Sequence, residues 1–158
     1  MSNETSIAAI ASAYEKATAD FLRIVDALEE SDLDKNDGEG WTPRQVVHHL
    51  ADSEAQSYAR LRRLVAEPGT IIQGYDEGKW AESTTLGYQE LPIELSLSVF
   101  KAVRASSLMI LRRLTPDQLN NTGEHTEAGT ITIHTWIDSY TNHPVDHGQQ
   151  ITKAISQP

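Results

Sequence analysis

Two histidines near the end of the chain, His143 and His147, have the spacing at which side chains act together. In an α-helix, residues four apart project from the same face, one turn apart. Ile133, Tyr140 and Ile151 form an apolar stripe at helical spacing. At about 100° per residue, His147 lies roughly 30° and His143 roughly 70° from the centre of this stripe. Both imidazoles should therefore face the interior of the fold or its margin.

Two imidazoles in that position need polar partners, because burying an unpaired polar group costs a few kcal/mol. A shared divalent ion is one solution, and histidines at this spacing suit zinc or nickel. Hydrogen bonds from each ring to other side chains or to water are the other solution. Spacing alone leaves both open.

A third nitrogen ligand would have to come from another helix, and the adjacent His48 and His49 are the candidates. His49 lies roughly 120° and His48 roughly 140° from the apolar centre of their predicted helix. Periodicity therefore prefers His49 only slightly. His125 and His134 have no such partner and are predicted to lie at the surface.

The elements that must position these residues are four amphipathic segments. They predict long helices from about Thr5 to Glu30, from Pro43 (capped by Thr42) to before Pro68, from near Pro92 to Thr115, and from near Thr132 to about Ile155. Between the second and third helices, residues 69–90 carry Tyr75, Trp80 and Tyr88, which predicts an ordered loop. With almost no strand signal, the pattern favours an all-α four-helix bundle that forms one domain over residues 1–158.

Composition excludes several classes of function. The 13 Lys and Arg against 23 Asp and Glu give a charge of −10, which disfavours sequence-independent binding to nucleic acid. No apolar run reaches the ~18 residues of a membrane span. The absence of cysteine excludes disulfides, thiolate ligands and a cysteine nucleophile. The first residues lack the basic region of a secretory signal, so we expect a cytoplasmic protein.

Three stretches stand in order along the chain: GWTPRQVVHHLADSE at 40–54, GYDEGKW at 74–80 and YTNHPVDHGQQI at 140–151. Together they resemble the DinB-like four-helix bundles, and specifically their YfiT-like branch. In that family, the second histidine of the HH pair and two histidines four apart in the last helix bind a divalent metal. The resemblance therefore implies that His49, His143 and His147 hold a nickel or zinc ion.

The chain departs from the family pattern at two positions. Pro144 stands where the last motif usually has aspartate, and Asp146 replaces its penultimate histidine. Pro144 has no amide hydrogen for the carbonyl of Tyr140, so we expect a kink between the two implied ligands. Asp146 is expected to be solvated. Gln150 and Ile151 still match the motif.

Two further residues of the second predicted helix could serve such a site. Asp52, one turn after His49, could orient an imidazole as a hydrogen-bond acceptor or could be an ordinary solvated aspartate. His48 could act as a general base beside the metal or could simply be exposed.

Three side chains are candidates for a substrate pocket. Tyr75 and Trp80 lie in the matched GYDEGKW stretch and could wall the mouth of the site, or they could only anchor the loop. Arg60 shares the helix flank of His49 and could steer an anionic substrate. It could equally belong to a solvated basic face.

Three histidines leave coordination positions open for water or for a thiol. The resemblance implies that a low-molecular-weight thiol is transferred to a small electrophilic molecule. The alternatives are a metal-dependent hydrolase at the same site, or a non-catalytic metal-binding bundle. The resemblance also implies a homodimer, with Trp136 or residues 69–90 as candidates for its interface.

Overall fold

Four long helices form the body of the computed structural model, which describes residues 6–36 and 38–156. These helices are α1 (Ile7–Asp26), α2 (Pro43–Ala66), α4 (Glu94–Leu111) and α5 (Ile133–Ile155), with a short α3 (Glu77–Glu82) between α2 and α4. Helix α1 packs beside α4 and α5, and α2 packs beside the same two helices. The predicted four-helix bundle is confirmed, while the predicted start at Thr5 lies outside the described residues.

The helices that carry the candidate ligands begin at well-defined caps. The Thr42 hydroxyl accepts the Gln45 amide at 3.3 Å, and Gln45 Oε1 accepts the Thr42 amide at 2.9 Å. Thr132 and Thr135 make the same reciprocal pair at the start of α5, at 3.1 and 3.0 Å. Because such boxes satisfy amides that would otherwise lack partners, they fix where each helix begins. The register of the histidines follows from these starts.

Two hydrophobic clusters occupy opposite ends of the bundle. One contains Tyr14, Leu61, Leu111, Trp136 and their neighbours, and the other contains Phe21, Leu50, Phe100, Ile151 and their neighbours. Polar residues lie between the two clusters along each long helix, and His49, beside Leu50 on α2, lies at the border of this polar region. We call Thr18, His49, Glu54, Ser57, Arg104, Ser107, His143 and His147 the polar layer. His143 and His147 therefore lie between the two clusters on α5, and His49 lies at the border of the second cluster.

Beside the helices the chain forms a small sheet, for which the sequence carried almost no signal. Strands β1 (Ile71–Ile72), β2 (Thr122–His125) and β3 (Gly129–Thr132) form a sheet in that order, with β1 parallel to β2 and β2 antiparallel to β3. Strand β1 is only two residues long, and the four-residue strands β2 and β3 are largely polar, so no alternating pattern was available. The predicted long loop is ordered and contains both β1 and α3.

Trp136 is not available for a dimer interface. Its side chain is 2% exposed, and its indole nitrogen donates to the carbonyl oxygen of Ser57 at 3.2 Å. Its place on the apolar stripe of α5 therefore reflects a role in the core.

In the described part of the chain, every helix is too short or too polar to cross a bilayer.

Candidate metal centre

The Nε2 atoms of three histidines converge in the polar layer. The Nε2 atom of His143 lies 3.2 Å from that of His49 and 3.1 Å from that of His147. Helix α2 supplies the first ring, and α5 supplies the other two from either side of Pro144. One ligand atom from each residue lies within 4.8 Å of the others. His49 is fully buried, and the other two are half-buried.

The surroundings of the three rings allow each Nε2 lone pair to face this point. The Nδ1–H group of His147 donates to Gln150 Oε1 at 2.7 Å, so the Nε2 atom of His147 carries the lone pair. Within the described residues, the buried Nδ1 atoms of His49 and His143 have no hydrogen-bond partner. His49 and His143 can therefore also carry their proton on Nδ1 and leave the Nε2 lone pair free, as His147 does. One cation would satisfy all three Nε2 atoms, whereas hydrogen bonds could pair them only two at a time.

Burial keeps the rings neutral. It lowers the pKa of His49 and of His143 to about 3, and the neighbouring imidazoles add to the effect. Burial also lowers the pKa of His147. Since a metal binds the neutral imidazole, the three ligands are ready to bind at neutral pH without losing a proton. The residues present therefore fit a divalent cation.

Trp41 forms an apolar wall for the site, which the sequence analysis missed. Its ring centroid lies 4.7 Å from that of His49, and it stacks on His147 at 6.3 Å with an interplanar angle of 10°. Trp41 precedes the capping residue Thr42, so the start of α2 places it over the site. Its position in the GWTP stretch, directly before the start of α2, could have indicated this role.

Glu77 brings a carboxylate to the site and was also missed. Its Oε2 atom lies 3.6 Å from Nε2 of His49, and its side chain is 61% exposed. It is the first residue of α3, whose capping residue Asp76 accepts the Lys79 amide at 3.1 Å. Glu77 belongs to the GYDEGKW stretch, of which only the aromatic residues were predicted to serve the site.

The two interpretations of His48 are both wrong. Its side chain is 5% exposed, with Nδ1 2.7 Å from Ser96 Oγ and Nε2 3.0 Å from the carbonyl oxygen of Leu91. Both ring nitrogens are thus engaged, and they connect α2 to the start of α4. Because successive helical residues differ by about 100°, His48 faces α4 while His49 faces α5.

Asp52 is not the partner of an imidazole. Its Oδ2 atom accepts a hydrogen bond from the Tyr88 hydroxyl at 2.5 Å, and Tyr88 is 2% exposed. Asp52 is itself half-buried, so it is not a freely solvated aspartate either. Its role is to fasten the segment that precedes α4.

Tyr75 and Trp80 pack on each other, with ring centroids 4.7 Å apart, and both are half-buried. Burial raises the pKa of Tyr75 to about 12, so its hydroxyl stays protonated at neutral pH. The contact is an anchor for α3. A role of these rings in binding substrate stays a prediction.

Arg60 reaches the site only indirectly. Its guanidinium donates to the Tyr140 hydroxyl at 3.1 Å and to the carbonyl oxygen of Gln73 at 2.9 Å. The ring of Tyr140 lies 6.3 Å from that of His143. Arg60 thus fastens the segment before α3, and steering of an anionic substrate stays a prediction.

Pro144 leaves α5 continuous, and the two histidines beside it still converge. His134 is exposed, as predicted. His125 is half-buried in β2, where its Nδ1 atom accepts the amides of Glu127 and Ala128 at 3.2 Å. Neither of these two belongs to the three-histidine group.

Several bacterial proteins are similar to this chain in sequence. A protein of Oceanobacillus iheyensis is 42% identical over 113 residues, and one of Bacillus mycoides is 36% identical over the same length. Both carry the provisional name metal-dependent hydrolase. The matched region covers 72% of this chain but 64% of each relative, so the chain spans less than two thirds of their length.

Solved structures agree with the bundle. YfiT from Bacillus subtilis, provisionally a metal-dependent hydrolase with an unusual four-helix bundle topology, superposes with a TM-score of 0.82 at 27% identity. The alignment covers 100% of this chain and 92% of YfiT. The four-helix bundle protein TT2238 has a TM-score of 0.64 at 19% identity over 94% of this chain and 99% of its own, which supports the fold alone.

The family model described as the DinB superfamily matches residues 13–151, a span that contains His49, both histidines of α5, all of α2 and most of α5. The resemblance found in the three sequence stretches is thereby confirmed, and this chain belongs to the DinB superfamily.

Proposed function

We propose that the protein is a divalent-metal-dependent hydrolase whose zinc or nickel ion is held by His49, His143 and His147. The observation that carries the proposal is the convergence of three neutral imidazole nitrogens from two helices on one point. Three nitrogen ligands leave coordination positions open, which is typical of catalytic rather than structural zinc sites. The provisional names of the relatives agree with this activity.

A divalent cation in this position would act as a Lewis acid and lower the pKa of a coordinated water toward about 7. The side chains have separate tasks. Gln150 holds His147 in the tautomer that offers its Nε2 lone pair. Trp41 covers the rings of His49 and His147 and excludes water from that side. The Oε2 atom of Glu77, 3.6 Å from Nε2 of His49, would accept a proton from the attacking water.

Transfer of a low-molecular-weight thiol is the second candidate. A thiol bound by the metal would lose its proton to solvent, so this reaction would need no protein base. The two residues predicted as helpers, His48 and Asp52, are engaged by Ser96, Leu91 and Tyr88. The chain has no cysteine of its own, so the thiol would come from outside.

The test begins with the metal content of protein purified without a nickel column, wild type beside His143→Ala. We expect about one divalent ion per chain in the wild type and a loss of that ion in the variant. His134→Ala is the matched control, because it removes an exposed histidine from the same helix.

Small esters, amides and alkylating electrophiles are then offered with and without a panel of thiols. Product without thiol, lost in His143→Ala and kept in His134→Ala, supports the hydrolase. Product that requires a thiol supports the transferase instead. Absence of metal from the wild type, even after soaking with zinc and nickel, would overturn both.

A further inference from the structure

Pro144 interrupts the hydrogen-bond ladder of α5 between the two candidate ligands of that helix. Because proline has no N–H group, the carbonyl oxygen of Tyr140, four residues earlier, lacks its helical donor. Tyr140 is buried, and a buried carbonyl without a donor destabilises the fold. Here the oxygen accepts a hydrogen bond from Nη1 of Arg104, on α4, at 2.6 Å.

Arg104 joins all four long helices through one guanidinium group. Arg104 is 1% exposed. Its Nη1 atom lies 3.0 Å from Oε1 of Glu54 on α2, and the Glu54 side chain is fully buried. Arg104 also donates to the Thr18 hydroxyl at 2.8 Å and to the carbonyl oxygen of Tyr14 at 3.2 Å, both on α1. Its planar fork thus serves acceptors that a single ammonium could not reach together.

These contacts lie next to the three-histidine site. Tyr140 precedes His143 by three residues on α5, and Glu54 follows His49 by five residues on α2. A helix bends most readily where a proline removes a backbone hydrogen bond. A bend at this point would change the angle between His143 and His147, which lie on either side of Pro144.

We propose that Arg104 is a positioning residue for the metal site: its Nη1–H group replaces the amide donor that Pro144 lacks and fixes the relative orientation of His143 and His147. This inference rests on the proposed three-histidine site. An arginine that only stabilised the bundle would affect unfolding without changing how the folded protein binds metal.

The experiment compares Arg104→Lys, Pro144→Ala and the double variant. The lysine keeps a positive charge beside Glu54 but cannot serve all the acceptors of the guanidinium, and alanine at position 144 restores the amide donor for Tyr140. The probe is Co²⁺, titrated by visible absorption at a temperature where circular dichroism finds every variant folded. Arg112→Lys is the matched control, since it makes the same change at the exposed end of α4.

We expect Arg104→Lys to bind cobalt about tenfold more weakly or worse, with an altered visible spectrum, as for other residues that orient metal ligands. Pro144→Ala in the Arg104→Lys background should restore most of the affinity, while Pro144→Ala alone and Arg112→Lys should leave it near the wild-type value. Wild-type affinity and spectrum in folded Arg104→Lys, or the absence of rescue, would overturn the proposal.

Two further arms keep the result decisive. Should Arg104→Lys fail to fold, Arg104→Met with Glu54→Met removes both buried charges, and rescue by Pro144→Ala is measured in that background. If the wild type binds no cobalt, the proposed function fails on its own. The positioning role is then judged from ¹⁵N ring shifts of His143 and His147 in metal-free protein. Shifts that change with Arg104→Lys and return with Pro144→Ala support it, and unchanged shifts overturn it.

Discussion

The side-chain oxygen of Gln150 accepts a hydrogen bond from Nδ1 of His147 at 2.7 Å, one turn beyond the ring that it orients. This bond determines which nitrogen of His147 faces the other two imidazoles. We therefore expect Gln150→Leu to weaken divalent-metal binding about 10-fold or more. Isothermal titration with zinc measures the effect, and Gln149→Leu, on the exposed side of the same turn, is the control. Equal affinity in both variants would show that the bond has no influence on the site.

The neighbouring histidines of α2 should respond differently to removal. His49→Ala should lose the metal, because it deletes one of three converging nitrogens. His48→Ala should keep the metal but lower the free energy of unfolding by about 1–3 kcal/mol, since it leaves buried partners unpaired. Metal analysis and urea denaturation of the two variants check this contrast. Loss of metal from a folded His48→Ala protein would contradict it.

Glu77→Gln distinguishes the two candidate reactions. If the Glu77 carboxylate accepts a proton from water, the variant should lower kcat about 10²–10⁴-fold for hydrolysis. The affinity for metal should change little, because Glu77 is largely exposed. Thiol transfer needs no such base, so its rate should stay within a few-fold of the wild type. Glu82→Gln, at the other end of α3, is the matched control.

The stability of chelator-treated protein should fall on acidification. The folded pKa values of His49 and His143 are lowered to about 3, whereas the unfolded chain binds protons near the ordinary value of about 6.5. Below pH 6.5 the unfolded state therefore binds more protons, and stability decreases as the pH falls. Between the folded and unfolded pKa values, each histidine lowers the free energy of unfolding by up to about 1.4 kcal/mol for each pH unit of acidification.

Urea denaturation between pH 7 and pH 5 measures this slope, in a range above the titration of most carboxylates. Replacing His143 by alanine should make the slope shallower, and replacing the exposed His134 should not. Identical slopes in the wild type and the His143 variant would mean that the buried ring does not control acid sensitivity.

Local patterns in the sequence predicted the helices and the ligand pair. The Thr42-Pro43 start, the Thr132 start and the four-residue spacing of His143 and His147 each depend on neighbours within about one turn of the chain. Such features can be derived without knowing the rest of the fold. They account for the bundle and for two of the three converging rings.

Contacts between distant segments were not predictable in this way. Periodicity indicates which face of a helix is apolar, but it does not identify the partner of each side chain. The hydrogen-bond partners of His48 lie 43 and 48 residues further along the chain, and Glu77 approaches His49 from a helix of six residues. Arg104 stands on the apolar face of α4 with Phe100 and Leu111, and a charge there was an unused signal of a buried partner.

The polar layer divides the bundle energetically as well as spatially. The described members of the two hydrophobic clusters do not overlap, so substitutions at opposite ends should change stability by nearly additive amounts. Within the layer, Arg104 alone connects groups on α1, α2 and α5, and changes to its partners should be strongly non-additive. The ends of this protein can therefore vary one residue at a time. The layer that holds the histidines can change only through coordinated substitutions.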